Sequence, residues 1–234
     1  MTNTSDLIAR IEALERRLSG KPAGTSRAEI WFLLDRSGSM ESIASDVVGG
    51  FDQFLADQRK LDGETTMTLV QFDSHDPHEV LVDARPLAGV RSIARHFRPR
   101  GSTPLYDAIG LLLDRAERRH GNPADQLVVI YTDGLENASR VWTAEQVFAR
   151  VTELKERGWT FVFLGANQDS YVTGAHLAMA AGNTANFKAS PDGVRASYQG
   201  LSRTTREWRA KERAARMADR DIFWGGKKES EEAE

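Results

Sequence analysis

The chain contains no cysteine among its 234 residues. Disulfides, thiolate zinc sites and cysteine nucleophiles are therefore excluded. Charge of one sign is also scarce: the formal net charge is −3, too small for the whole protein to attract a polyanion. No apolar run approaches the roughly 18 residues needed to cross a bilayer. Met1 to Arg10 are polar and then amphipathic, without the uninterrupted apolar segment of a secretion signal, so the expectation is a cytoplasmic protein with no membrane association. Histidine is sparse as well, at five residues, and only His75 and His78 stand close together. Their three-residue spacing in a short connection is not a helical i, i+4 pair, no third ligand is indicated, and a zinc site is not expected. What is present, 40% hydrophobic and 28% charged residues, describes an ordinary globular protein with room for one α/β domain and extensions.

Leu7, Ile11, Leu14 and Leu18 repeat at spacings of four, three and four, a two-heptad seam over 6–18. A lone helix this short is marginal in water, so it must dock, either between chains as a short coiled coil or on its own globular domain. Arg10 and Glu15 fall where they can pair between neighbouring parallel chains. The expected layout is a helix in 1–20, a linker at 21–26, the main domain over 27–190, a helical extension over 191–220 and a disordered polar tail from 221 to 234. Within the main domain, strands are expected at 28–34, 66–73, 79–83, 126–132 and 159–164, with a weaker one at 185–189. Helices are expected at 43–60, 86–96, 104–119, 143–157 and 170–181. The alternation predicts a mainly parallel sheet covered on both faces. The brief Ser74–His78 link implies a hairpin, hence one antiparallel edge strand. Gly49-Gly50, inside a helical pattern, implies close packing; it lacks the lysine of a phosphate-binding loop. Beyond 191 a single long helix is expected to about 219. It carries seven basic against three acidic residues between 203 and 220, which encircle it as a solvated face and do not form a nucleic-acid stripe.

Three clusters of oxygen-bearing side chains stand out: Asp35-Arg36-Ser37-Gly38-Ser39 after the apolar run Ile30–Leu34, Gly101-Ser102-Thr103-Pro104, and Thr132-Asp133-Gly134 after a second apolar run. In open α/β sheets, ligands bind beyond the carboxyl ends of strands where strand order reverses. If strands 28–34 and 126–132 are neighbours, all three loops converge. Two carboxylates and three hydroxyls form an oxygen set suited to a hard cation such as Mg²⁺.

Asp35-x-Ser37-x-Ser39, a downstream Thr103 and the Thr132-Asp133-Gly134 turn resemble the five-residue metal-ion-dependent adhesion site of von Willebrand factor A domains. The likeness covers roughly residues 27–190, and the phrases Phe51–Leu55, Arg98–Leu105 and Asp133–Asn137 look most like stand-alone prokaryotic members. The resemblance implies a Rossmann-like three-layer sandwich with helices on both faces. It implies a Mg²⁺ site (or Mn²⁺ or Ca²⁺) with Ser37 and Ser39 as direct ligands, Thr103 as a ligand exchangeable with water, and Asp35 and Asp133 as the charge-bearing pair. It also implies a protein partner whose Asp or Glu carboxylate completes the metal's coordination.

Duller roles compete at the rim. Ser102 reads as a loop hydrogen-bonder, Glu136 and Asn137 as turn or capping residues, Asp107 as a helix-start anion beside Tyr106, and Met40 and Trp142 as packing residues. Arg100 is a candidate for orienting a partner carboxylate. Two other classes compete with the binder. A phosphatase-type hydrolase using Asp35 as nucleophile lacks the second acid two positions on, where Ser37 stands, and has no lysine in the three loops. A serine hydrolase lacks the Gly-x-Ser-x-Gly elbow. An assembly protein driven by 6–18, with homo-oligomers as its product, is the remaining alternative. The residues therefore predict a binder and not an enzyme.

Overall fold

A computed structural model describes residues 27–119, 125–166, 170–228 and 231. The 6–18 seam, the 21–26 linker, His120 and the last three residues lie outside the described residues.

Six strands form one sheet: β1 (Ala28–Asp35), β2 (Thr65–Phe72), β3 (Glu79–Pro86), β4 (Asp125–Thr132), β5 (Thr160–Ala166) and β6 (Thr184–Phe187), in the order β3-β2-β1-β4-β5-β6. Every neighbouring pair is parallel except β2 and β3. The single antiparallel edge is the one expected from the Ser74–His78 link. β1 is buried along its whole length, which suits an unbroken apolar run at the centre of a parallel sheet. Its side chains alternate between two cores: Ile30, Phe32 and Leu34 on one face, Trp31 and Leu33 on the other.

The first face is covered by α1 (Ala44–Arg59) and α5 (Pro191–Ala210). Phe51 and Phe54 from α1 and Tyr198, Leu201 and Trp208 from α5 pack with Phe32 and Tyr131. Gly50 permits this approach, because a Cβ there would lie 2.2 Å from the Tyr198 ring. The second face is covered by α2 (Leu105–Arg118) and α3 (Ala144–Glu156), whose Ile109, Leu112, Val147 and Val151 meet Trp31, Val128 and Ile130. The Thr143–Gln146 capping box starts α3 as expected. α4 (Ser170–His176) leads toward β6.

Four expectations are corrected. Residues 86–96 do not form a helix; β3 continues to Pro86, and one 3₁₀ turn, Leu87–Gly89, follows. Leu87, Val90, Ile93 and Phe97 are each buried, so the apolar spacing is helix-like while the backbone drapes as an irregular strap over the core. The 170–181 helix stops at His176, two residues before Ala178 takes a left-handed φ of 59°. The long C-terminal helix breaks after Ala210 and resumes as α6 (Arg213–Ala218). There Arg216 folds back, its Nε donating to the Trp208 carbonyl at 2.8 Å and its Nη1 to Asp125 at 2.6 Å. The polar tail also begins later than 221, because Phe223 and Trp224 are buried in the first core.

Candidate metal centre

The strand order reverses between β1 and β4, and both strands end at the same edge of the sheet. The pairing of Leu34 with Tyr131 brings Asp35 beside Thr132. Asp35 is fully buried, and its carboxylate accepts the Thr132 hydroxyl at 2.6 Å and the Ser37 amide at 2.6 Å. Ser37 and Ser39 Oγ lie 3.1 Å apart, and the Ser39 hydroxyl donates to Asp133 Oδ1 at 2.6 Å. Asp35, Ser37, Ser39 and Asp133 thus form one chain of oxygens that runs from a buried carboxylate to Ser39, which is exposed.

Thr103 arrives on the loop before α2. Its amide donates to Asn137 Oδ1 at 2.8 Å, and the Asn137 amide returns a bond to the Thr103 carbonyl at 3.1 Å. Its hydroxyl abuts the third loop so closely that a Cβ on Gly134 would lie 2.6 Å from Oγ1. Gly101, at φ +66°, turns this loop back, and its carbonyl accepts the Gly38 amide at 3.0 Å. The three loops are therefore stitched together by backbone bonds as well as by side chains.

No Arg, Lys or His makes an ion pair with Asp35 or Asp133 among the described residues. Burial pushes the Asp35 carboxyl up to about 7, against hydrogen bonds from Thr132 and Ser37 and with a small further rise from Asp133. Burial likewise raises Asp133, with the Ser39 bond opposing it. Two carboxyls held near three hydroxyls without a cationic side chain fit a hard divalent cation, which would hold both ionised. The cluster contains no third carboxylate or histidine: no group of three or more His, Asp or Glu able to hold a metal exists among the described residues. Any metal here depends on hydroxyl ligands.

Most rim residues are structural. The Glu136 carboxylate accepts the amides of Tyr106, Ala138 and Ser139, and Asp107 accepts those of Arg140, Val141 and Trp142. Trp142 packs over Gly110 on α2, and Met40 is in the core. Ser102 bonds Ser74. Arg100 donates from Nε to Asp73 at 2.9 Å, and its side chain is half exposed. Burial and nearby Arg115 lower the His78 pKa, with Asp76 opposing them.

Sequence reasoning missed Arg36 and Asp73. Arg36, the first variable position of the Asp-x-Ser-x-Ser motif, is buried and binds Asp73 through Nε at 2.8 Å and through Nη2. Its carbonyl accepts the Arg100 amide at 2.9 Å. Asp73 therefore ties the Ser37 loop to the Thr103 loop. The available signal was its place at the end of the expected apolar strand 66–73, much as Asp35 ends the first apolar run.

Among known families, the model of the von Willebrand factor type A domain matches residues 30–136, a stretch that runs from β1 through β4 and holds Asp35, Ser37, Ser39, Thr103 and Asp133. The fold is that of a von Willebrand factor type A domain. No curated protein matches the chain. Solved structures share the A-domain fold at low identity. They include the pilus adhesin SpaC from Lactobacillus rhamnosus GG in its open conformation (TM-score 0.64, 14% identity, covering 80% of this chain and 31% of that one). Proximal thread matrix protein 1 from the mussel byssus, with a zinc-occupied MIDAS motif, aligns with TM-score 0.58 and 16% identity over 78% of this chain and 46% of its own. Manganese-loaded TRAP protein from Plasmodium vivax aligns with TM-score 0.50 and 15% identity, covering 71% of this chain and 70% of that one. The chain spans about half the length of the thread matrix protein.

Proposed function

We propose that this A domain captures a protein partner through a divalent cation held by Asp35, Ser37, Ser39, Thr103 and Asp133. The partner supplies an Asp or Glu side chain to the metal. The observation that carries this reading is the continuous oxygen network from buried Asp35 to exposed Ser39, which contains negative charge but no cationic side chain. Few negative charges around the metal leave it electrophilic, so an external carboxylate binds it well. Mg²⁺ is the expected ion, with Mn²⁺ or Ca²⁺ as substitutes; relatives that carry manganese or zinc support a divalent ion in general.

The same oxygens do not suit catalysis. Ser37 stands where a phosphatase would place its general acid, and the nearest guanidiniums, Arg36 and Arg100, are tied to Asp73. We therefore read the protein as a non-enzyme. We further propose that it is a stand-alone cytoplasmic module of prokaryotic type, whose binding unit is 27–190. Residues 6–18 are proposed to supply an oligomer contact. No helix among the described residues is long and apolar enough to cross a membrane.

The test is capture of acidic-residue peptides and of partners from native cytoplasm by the full chain, with Mg²⁺ and with EDTA in parallel. Capture that requires Mg²⁺ and is lost in Asp35→Ala supports the reading. Equal capture in chelator removes it. Light scattering on a chain lacking residues 1–20 tests the oligomer contact, which predicts a fall to monomer.

A further inference from the structure

At the opposite end of the sheet from the metal loops, a cavity of about 380 Å³ opens where β1 and β2 begin. Three arginines (Arg27, Arg59 and Arg209) and a single acid, Glu64, line it. Arg209 is the unusual member. It is 7% exposed, yet it forms no ion pair among the described residues. Its Nη1 donates to the carbonyl and side-chain oxygens of Gln58 at 2.7 and 3.1 Å, and its Nη2 reaches the Asp62 carbonyl at 3.4 Å. Three contacts leave two of the guanidinium's five donors over. Burial, with neighbouring Arg216 adding to it, brings the Arg209 pKa down to about 10. Asp125, the acid that neighbouring Arg216 binds, is shared between Arg213 and Arg216 and makes no ion pair with Arg209 among the described residues.

Arg59 repeats the pattern: it binds the carbonyls of Leu87 and Val90 and no carboxylate. Arg27 is paired with Glu64 at 3.1 Å. The cavity wall therefore holds two guanidiniums satisfied only by neutral oxygens. Burying the Arg209 charge without a counter-charge is unfavourable, and an anion in the cavity would remove that deficit while also meeting the exposed Arg59. The volume lies near the lower end of the range for small-molecule sites.

We propose that this cavity is a binding site for a compact multivalent oxyanion, a small phosphorylated or polycarboxylate molecule, held chiefly by Arg209 and Arg59. Planar guanidiniums match both phosphate and carboxylate oxygens, and they bind them in paired fashion. The site is separated from the metal loops by the length of β1, roughly 23 Å at the usual rise per residue, and it rests on different residues from the proposed metal function.

Calorimetry on the full chain in metal-free buffer, titrated separately with pyrophosphate and with citrate and compared with sodium chloride at matched ionic strength, tests this. The expected result is saturable one-to-one binding of at least one anion, and the stronger of the two identifies the ligand class. Arg59→Gln and Arg209→Gln should each weaken it about tenfold, the size expected for losing a charge-assisted hydrogen bond. Arg59 is exposed, so its variant keeps the test valid should Arg209→Gln fail to fold. Heat that merely follows ionic strength, or affinity unchanged in Arg59→Gln, overturns the proposal.

Discussion

Asp35 ends β1 and Asp73 follows the neighbouring β2; both side chains are shut off from solvent, but their surroundings are opposite. Around Asp73, burial alone would raise the pKa. Hydrogen bonds from Arg100, from the amides of His75 and Asp76 and from Arg36 outweigh it and hold the carboxyl below its usual range. Around Asp35 there are only neutral donors, and burial wins, lifting it to about 7. The protein supplies its own cations to one strand end and leaves the adjacent one without any. That difference separates a structural carboxylate, which fixes the spacing of two loops, from one suited to an added cation.

Replacing Asp73 by Ala gives the largest expected effect. Buried Arg36 would lose Asp73 and keep only the part-exposed Glu79, and removing one member of a buried pair typically destabilises by about 3–5 kcal/mol. Urea unfolding should show that loss with and without Mg²⁺. Asp35→Asn should behave the other way. In EDTA near pH 4 its stability should stay within about 1 kcal/mol of the parent, since the amide oxygen keeps the Ser37 N–H and the Thr132 hydroxyl can turn to the Gly134 carbonyl at 3.2 Å while accepting from the new amide NH2. The Mg²⁺-dependent rise in Tm, which corresponds to about 2.7 kcal/mol at a hundredfold excess over Kd, should vanish. An Asp35→Asn protein that still gains stability from Mg²⁺ would erase the contrast.

The pH dependence sharpens the comparison further. Asp73 has a depressed native pKa, so its stabilisation is present above the ordinary carboxylate pKa of 3.8 and is lost as pH falls through the lower native value. Asp35 has a raised one. Without metal its native form holds a proton that the unfolded chain has released, so its contribution declines as pH rises from about 3.8 toward about 7. Chelated protein and its Asp35→Asn variant, compared by thermal melts over that window, should differ most near neutrality. Identical slopes would contradict the burial argument. The smallest effect belongs to Leu135, 58% exposed beside Asp133: Leu135→Ser should change stability by no more than about 0.5 kcal/mol, read by the same melts.

Sequence pattern was a good guide where one signal dominated. The unbroken apolar run ending in Asp35 could only be a buried strand, and the oxygen clusters at two strand ends and before one helix located the loops that the sheet brings together. It failed where different backbones share one periodicity. Leu87, Val90, Ile93 and Phe97 fit a helical face, yet they line an irregular strap. Arg216 was invisible as a helix-breaker because its effect comes through Asp125, 91 residues away. Asp73 and Arg36 were missed for a related reason: an ion pair 37 residues apart leaves no local pattern.

The central claim concerns a cation at the end of β1, and anomalous scattering from crystals grown with Mn²⁺ addresses it most directly. A single peak about 2 Å from Ser37 and Ser39 Oγ, absent in Asp35→Asn, is the predicted result. No peak among those three loops at saturating Mn²⁺, or one that survives the substitution unchanged, would contradict the account.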